Sequence, residues 1–447
     1  MNPLPPAPSA FVSEEAAHMH VSPPNTRPRI LHLTQPVDGG VARVVTDLAR
    51  AQLADGLDVA VACPDSPLTA ELRALGANVR HWHATRSPGP SLVREVRRLA
   101  RVIDEVRPDL VHAHSAKAGL AGRLVVRGRI PTVFQPHAWS FEAVDGGTAA
   151  LALKWERWAA RWAARVVCVS EAERATGVRS GITGRWTVVP NGIDPERFHP
   201  ADTGTVRAGL APLAGINPAT PLAVCVGRLC RQKGQDVLLR AWGAVVRRVP
   251  DARLVLVGDG PDHDLLRERA PESVLFAGAV ADASPWYQAA DLVVLPSRWE
   301  GMALAPLEAM ACARPVVVTD VDGARESLPP SFAARCLVPP EKPAALAGAV
   351  SELLLDPLLR ASLGDRGRRH VLTTHDVRHT TEALADVYRD LLGTRPAARS
   401  ARPSHAVEPP EAHGAEHGQP PGTGRGAEVN QTTQRVEPIK YRESSHS

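Results

Sequence analysis

Short apolar runs alternate with helix-length amphipathic segments along most of this 447-residue chain. Runs such as LAVCV at Leu222–Val226 and LVVL at Leu292–Leu295 are too short for helices and show no polar alternation. They read as strands buried on both faces, the mark of a parallel sheet whose strands are joined by crossover helices. The runs fall into two series. The first is predicted at Ile30–Leu33, Val59–Ala62, Leu110–Ala113, Thr132–Phe134, Val166–Val169 and Thr187–Val189. The second is predicted at Leu222–Val226, Leu254–Val257, Val274–Ala277, Leu292–Leu295 and Val316–Val318. Helices are expected between them, among others at Val41–Ala54, Leu92–Val106, Asp236–Val249, Ala303–Ala313 and Ala344–Leu355.

Two such series imply an α/β protein of two Rossmann-like domains, which also suits the chain length. The domains are predicted at 28–205 and 206–374, with the boundary in the Pro-, Gly- and Ala-rich stretch Pro200–Pro221. A final helical pattern at 375–394 fits against either domain. Residues 1–27 and 395–447 are rich in Pro and polar residues and poor in aromatics. They are expected to be disordered tails, because they bury too little apolar surface to offset the entropy of ordering.

Composition excludes several function classes. A net charge of +4 over 447 residues gives no concentrated basic face for nucleic acid. Six scattered cysteines with no C-x-x-C pair point to a reducing compartment without a disulfide framework. The N-terminus lacks the apolar core of a signal peptide, and no window approaches 18 apolar residues. A cytoplasmic protein, at most peripheral to a membrane, is expected.

Ligands of doubly wound sheets bind beyond the carboxyl ends of the strands. The stretch from Leu295 to Gly323 is informative there. Pro296 ends a strand, Glu300 and Gly301 follow in the loop, and a helix begins near Met302 or Ala303 with free amides suited to an anion. Glu308 lies within that helix. Eight helical residues span about 12 Å, so Glu300 and Glu308 suit hydroxyls at opposite ends of an elongated ligand with a phosphate between them. A nucleotide sugar has that layout. The plainer alternative is a capping Glu300 and a solvated Glu308.

Other strand ends carry matching features. Gly227-Arg228 and Lys233 put a small residue and two cations on one strand-to-helix loop, where a diphosphate would be attracted; a solvated basic loop is the alternative. Gly39 and Gly40 precede the first helix and permit backbone contact with phosphate or sugar. His112 and His114, two apart on a strand, point the same way and suit either a metal pair or, with Lys117 and His137, a hydrogen-bonding wall of the cleft. Asp320-Val321-Asp322 looks like a metal motif but falls after a late strand and is set aside. Trp155, Trp158 and Trp162 form a helical stripe flanked by Lys154, Arg157, Arg161 and Arg165. Core packing is the favoured reading and an interfacial membrane helix the alternative, with Leu92–Val106 a second basic helix of that kind.

The order of Gly39-Gly40, PDLVHAHSAKAGLAGR, FQPHAWSF, VVPNGID, VGRLCRQKG, LVGDGP and EGMALAPLEAMACARPVVV resembles the retaining GT-B glycosyltransferases of family 4, over roughly residues 29–392. Within it the chain looks most like bacterial enzymes of lipopolysaccharide, exopolysaccharide or teichuronic-acid assembly. The resemblance implies two Rossmann-like domains facing across a cleft. Residues 28–205 would take the acceptor and 206–374 a UDP-, GDP- or ADP-sugar donor, with the 375–394 helix crossing back. Arg228 and Lys233 would hold the diphosphate and Glu300 the donor-sugar hydroxyls. Glu308 would meet the ribose hydroxyls, and Gly39 and Gly40 the phosphates. His137 would lie beside the reacting sugar. Gly227, Gly301, Met302 and Ala303 would complete the donor loops, and His112, His114 and Lys117 the acceptor side. No metal or cofactor is expected. The acceptor would be a glycan or lipid-linked, met at the inner face of the plasma membrane. The chain departs from the family at Ala138 and Ala313, where His-Gly or His-Thr and Gly are commoner.

No carboxylate pair suggests the separation of about 5 Å used by retaining glycosidases, so a front-face substitution is expected. Three alternatives remain: a GT-B UDP-sugar epimerase, a metal-dependent hydrolase built on His112, His114 and His137, and a silent nucleotide-sugar-binding protein.

Overall fold

The computed structural model describes residues 27–86 and 89–393. The two predicted tails fall outside these, Arg27 excepted. The first seven strands are β1 (Arg29–Thr34), β2 (Asp58–Cys63), β3 (Asn78–His81), β4 (Leu110–His114), β5 (Thr132–Gln135), β6 (Arg165–Cys168) and β7 (Trp186–Val188). They form one sheet in the order β3-β2-β1-β4-β5-β6-β7, with every pairing parallel. The second sheet holds β8 (Leu222–Val226), β9 (Arg253–Val257), β10 (Val274–Gly278), β11 (Leu292–Leu295), β12 (Val316–Thr319) and β13 (Leu337–Val338). Its order is β10-β9-β8-β11-β12-β13, again parallel throughout.

Helices on both faces explain the uninterrupted apolar strands. Ile30, Leu31 and Leu33 on β1 and Ala223, Val224 and Cys225 on β8 are fully buried. Burying a side chain of Val or Leu size contributes roughly 1.5–3 kcal/mol, so the central strands anchor both halves. The first helix, Gly39–Ala54, buries Val44, Val45, Leu48 and Ala49. Leu92–Val106 turns Leu99, Ile103 and Val106 inward and leaves Arg94, Arg97, Arg98 and Arg101 exposed.

The last helix, Val377–Leu392, packs against the first helix, far from it in sequence. Leu384 and Tyr388 are buried there, and Asp390 is ion-paired to Arg165 of β6. Upstream of it, Ile193 bridges Asp376, and His375 Nδ1 lies 2.9 Å from the Asn191 carbonyl. All six cysteines are free.

Candidate active site

In each sheet the strand order reverses once, between β1 and β4 and between β8 and β11. The loops leaving these strands open the crevice where ligands of such sheets sit. The two crevices face each other. A side chain at Gly40 would point at Leu304 Cδ1, 3.6 Å away, so the N-terminus of the Gly39–Ala54 helix meets that of the Leu304–Ala311 helix. Neither N-terminus has a side-chain cap. Both present orphan amides and the positive end of a helix dipole.

Lys233 lies in the short turn Arg231–Lys233 after β8. Gly234 follows with φ 66°, and a Cβ there would fall 2.1 Å from the Pro296 carbonyl oxygen. Only glycine lets this turn press against the end of β11. That approach brings Lys233 Nζ to 2.6 Å from Glu300 Oε1, which also accepts from Ser297 Oγ at 2.7 Å. Two groups read separately from the sequence therefore form one ion pair. Arg86, in the loop after β3, was not read from the sequence. Burial and the neighbouring Arg228 guanidinium hold it below the usual arginine range, so two arginines crowd the same region.

His137 and Ala138 follow β5 with φ of 56° and 102°. Such conformations cost of order 1–3 kcal/mol in a residue with a side chain and persist only where surroundings enforce them. Glu173 enforces this one: its carboxylate accepts from Ala138 N at 2.6 Å and Val169 N at 2.7 Å. Glu173 is buried, and burial pushes its carboxyl up to about 7. A Cβ on Gly301 would lie 2.8 Å from Glu173 Oε1 and 3.0 Å from Ala138 N. The Glu300-Gly301 loop thus rests directly on the His137 loop.

Asn191, from the VVPNGID motif, donates to the Met302 carbonyl at 2.8 Å. Met302 itself is buried. Ala303 occupies the N-cap position without a side-chain hydrogen bond, and a Cβ on Gly227 would lie 3.7 Å from the Lys233 stem. Glu308 accepts from the Tyr287 hydroxyl at 2.6 Å, and burial pushes its carboxyl up to about 7.

Several expectations are corrected. Lys117 does not line a cleft: it is buried and ion-paired to Glu95 at 2.6 Å, both side chains 2% exposed. His112 and His114 are likewise fully buried, beneath His137 rather than lining a cleft. His112 contacts Tyr388 and His114 contacts His137. With His32 they place ligand atoms within 4.8 Å of one another, a set that could hold a metal ion. This set contains His32 in place of the His137 read from the sequence. The tryptophan stripe is not core: Trp155, Trp158 and Trp162 meet one another at tilted and edge-to-face angles with ring centroids 4.3–6.3 Å apart, and Trp158 is 46% exposed. Asp322, set aside above, joins the halves by accepting from Thr176 Oγ1 at 2.7 Å. Glu326 caps the Glu171–Arg179 helix across the same junction through Glu171 N and Ala172 N.

Two facing Rossmann-like sheets, with a cation–carboxylate pair where uncapped helix ends converge, define a glycosyltransferase of the GT-B fold. The chain belongs to glycosyltransferase family 4. The model "Glycosyltransferase Family 4" matches residues 38–197 and "Glycosyl transferases group 1" matches residues 220–356. The alpha-maltose-1-phosphate synthase of Mycolicibacterium smegmatis is 31% identical over 79% of this chain and 96% of its own length. An Escherichia coli UDP-Gal:alpha-D-GlcNAc-diphosphoundecaprenol alpha-1,3-galactosyltransferase is 29% identical over 66% of this chain and 80% of its own. Anabaena HepE, crystallised with UDP and glucose, shares the fold with a TM-score of 0.69 at 23% identity, over 81% of this chain and all of its own. These relatives give no support to the epimerase or hydrolase readings.

Proposed function

We propose that the chain is a retaining, metal-independent glycosyltransferase that moves a sugar from a nucleoside-diphosphate sugar to a hydroxyl of a lipid-linked or glycan acceptor in cell-envelope assembly. The observation that carries this reading is the Lys233–Glu300 pair at the junction of β8 and β11. Without donor the two groups neutralise each other. With donor, Lys233 turns to the diphosphate and Glu300 to the sugar hydroxyls. Arg228 and the amides near Gly39, Gly40 and Ala303 add positive potential at the phosphates, where charge develops as the bond breaks. Glu308 takes the ribose hydroxyls, and His137 borders the sugar.

The sugar C1–O bond breaks with its electron pair going to the phosphate oxygen. The acceptor oxygen bonds to C1 from the same face and gives its proton to that departing oxygen. Cations already in place supply the stabilisation, so no metal is required for charge balance. In this reading 28–205 takes the acceptor and 206–374 the donor, with 375–394 returning to the first half.

The diphosphoundecaprenol acceptor of the E. coli relative supports a lipid-linked acceptor here. Among the described residues no helix is long and apolar enough to cross a membrane. Exposed Leu151 and Trp158, with Lys154, Arg157 and Arg161 on the same segment, suit a peripheral contact with anionic lipid at the cytoplasmic face. The test is thermal unfolding with UDP-, GDP- and ADP-sugars. One nucleotide class should raise the melting temperature, since a ligand at a hundred times its Kd stabilises by about 2.7 kcal/mol. No shift with any donor, together with no transfer, would overturn the proposal.

A further inference from the structure

Beneath His137 the imidazoles of β1 and β4 form a single hydrogen-bonded file. Gln52, on the first helix, places Oε1 2.8 Å from His32 Nε2. His32 Nδ1 is 3.0 Å from His114 Nε2, and His114 Nδ1 is 3.2 Å from His137 Nε2. Successive rings of the file lie nearly parallel, at 27° and 23°. The in-register pairing of His32 with His112 and of Thr34 with His114 puts these side chains on neighbouring strands. Burial keeps the rings neutral, pushing His32 down to about 4 and His137 to about 3. Burial and the adjacent histidines hold His114 well below its ordinary value.

A neutral imidazole has one N–H and one bare nitrogen, so protons can be counted along the file. The Gln52 carbonyl oxygen can only accept, which puts the His32 proton on Nε2. His32 Nδ1 is then bare and receives the proton of His114 Nε2. His114 Nδ1 is bare in turn and receives from His137 Nε2, leaving His137 Nδ1 without a proton. The orientation of the Gln52 amide is set at its other end. Its Nε2 donates to the Tyr388 hydroxyl at 3.4 Å, and that hydroxyl lies 2.5 Å from His112 Nδ1, a nitrogen able to take its hydrogen.

We infer that Gln52, acting through His32 and His114, fixes His137 in the tautomer with a bare Nδ1, which makes the ring an acceptor for a sugar hydroxyl rather than a donor to one. Gln52 is therefore a positioning residue, and its orientation is held by Tyr388 on the returning C-terminal helix. The consequence for the sugar rests on the proposed function; the tautomer does not. A metal ion on His32, His112 and His114 would consume the lone pairs of these same rings, so metal occupancy and an intact file exclude each other.

The test is nitrogen NMR of the full-length protein labelled with ¹⁵N at its histidine rings and recorded without donor. The His137 signals are assigned by their loss in His137→Gln. In the wild type at neutral pH, Nε2 should carry the proton and Nδ1 should be bare, and chelator should change nothing. Gln52→Met removes the acceptor at the head of the file, so the single His137 tautomer should be lost. Gln52→Glu, which offers only acceptors when ionised, should restore it. A proton on Nδ1 in the wild type would overturn the inference. So would an altered spectrum after chelation, or an unchanged His137 pattern in a Gln52→Met protein with wild-type circular dichroism. None of these results bears on whether sugar is transferred, so the two claims fail separately.

Discussion

Replacing Glu308 by glutamine should stabilise the protein at alkaline pH while weakening donor binding. Burial raises the Glu308 carboxyl from 4.5 to about 7. Between those values the native state holds a proton that the unfolded chain has lost, and above about 7 folding must bury the charge. The sign follows: Glu308 costs nothing below about pH 4.5, its cost grows between about 4.5 and 7, and it is constant above. At about 1.4 kcal/mol per pH unit, the full cost is about 3 kcal/mol. Glu308→Gln keeps an acceptor for the Tyr287 hydroxyl now at 2.6 Å and removes the charge. Urea unfolding followed by tryptophan fluorescence should give a variant more stable than wild type by up to about 3 kcal/mol near pH 8, with the gain vanishing near pH 4.5. A stability difference that does not vary with pH would refute the reasoning. If the carboxylate takes the ribose hydroxyls, the same variant should bind donor about 10- to 100-fold more weakly above pH 7, because hydrogen bonds to charged groups contribute about 1.5–3 kcal/mol.

Further expectations follow from the packing. Lys117→Met leaves Glu95 buried without its cation and should cost about 3–5 kcal/mol in chemical denaturation, with much of the loss recovered by adding Glu95→Leu. Ala313→Gly relieves a left-handed residue at φ 56° and should raise stability by up to about 1 kcal/mol, read as a higher melting temperature. Gly301→Ala forces a methyl group to 2.8 Å from Glu173 Oε1 and Val169 Cγ2, so transfer should fall while far-UV circular dichroism stays unchanged. Trp158→Ser should lower co-sedimentation with anionic vesicles while far-UV circular dichroism still shows a folded protein.

The fold was legible where burial on both faces writes itself as an apolar run. The predicted strands of both series match observed strands to within a residue or so at either end. β3 was missed because NVRH is a half-exposed edge strand with no apolar run, and β13 because it is two residues long. The loops that carry Lys233 and Glu300 were legible because loops after parallel strands gather at one crevice. That Lys233 and Glu300 touch was not, because contact depends on the approach of Gly234 to Pro296 across 62 residues of chain. The stripe and the wall failed for a shared reason: periodicity tells which residues share a face, not what that face meets. His112 and His114 do share a face, but the returning helix covers it with Tyr388. The signal for the file was present in RILHLT, where one polar residue interrupts an otherwise buried strand at His32. Glu173 carried no comparable signal, since a glutamate in the first turn of a helix is ordinarily a solvated one.

The most direct test of the account is the turnover of Lys233→Ala with the donor that stabilises the wild type. The account predicts that kcat falls about a hundredfold or more, the loss expected when a group aimed at developing charge is removed, while thermal unfolding shows a folded protein. Wild-type kcat in Lys233→Ala would contradict it.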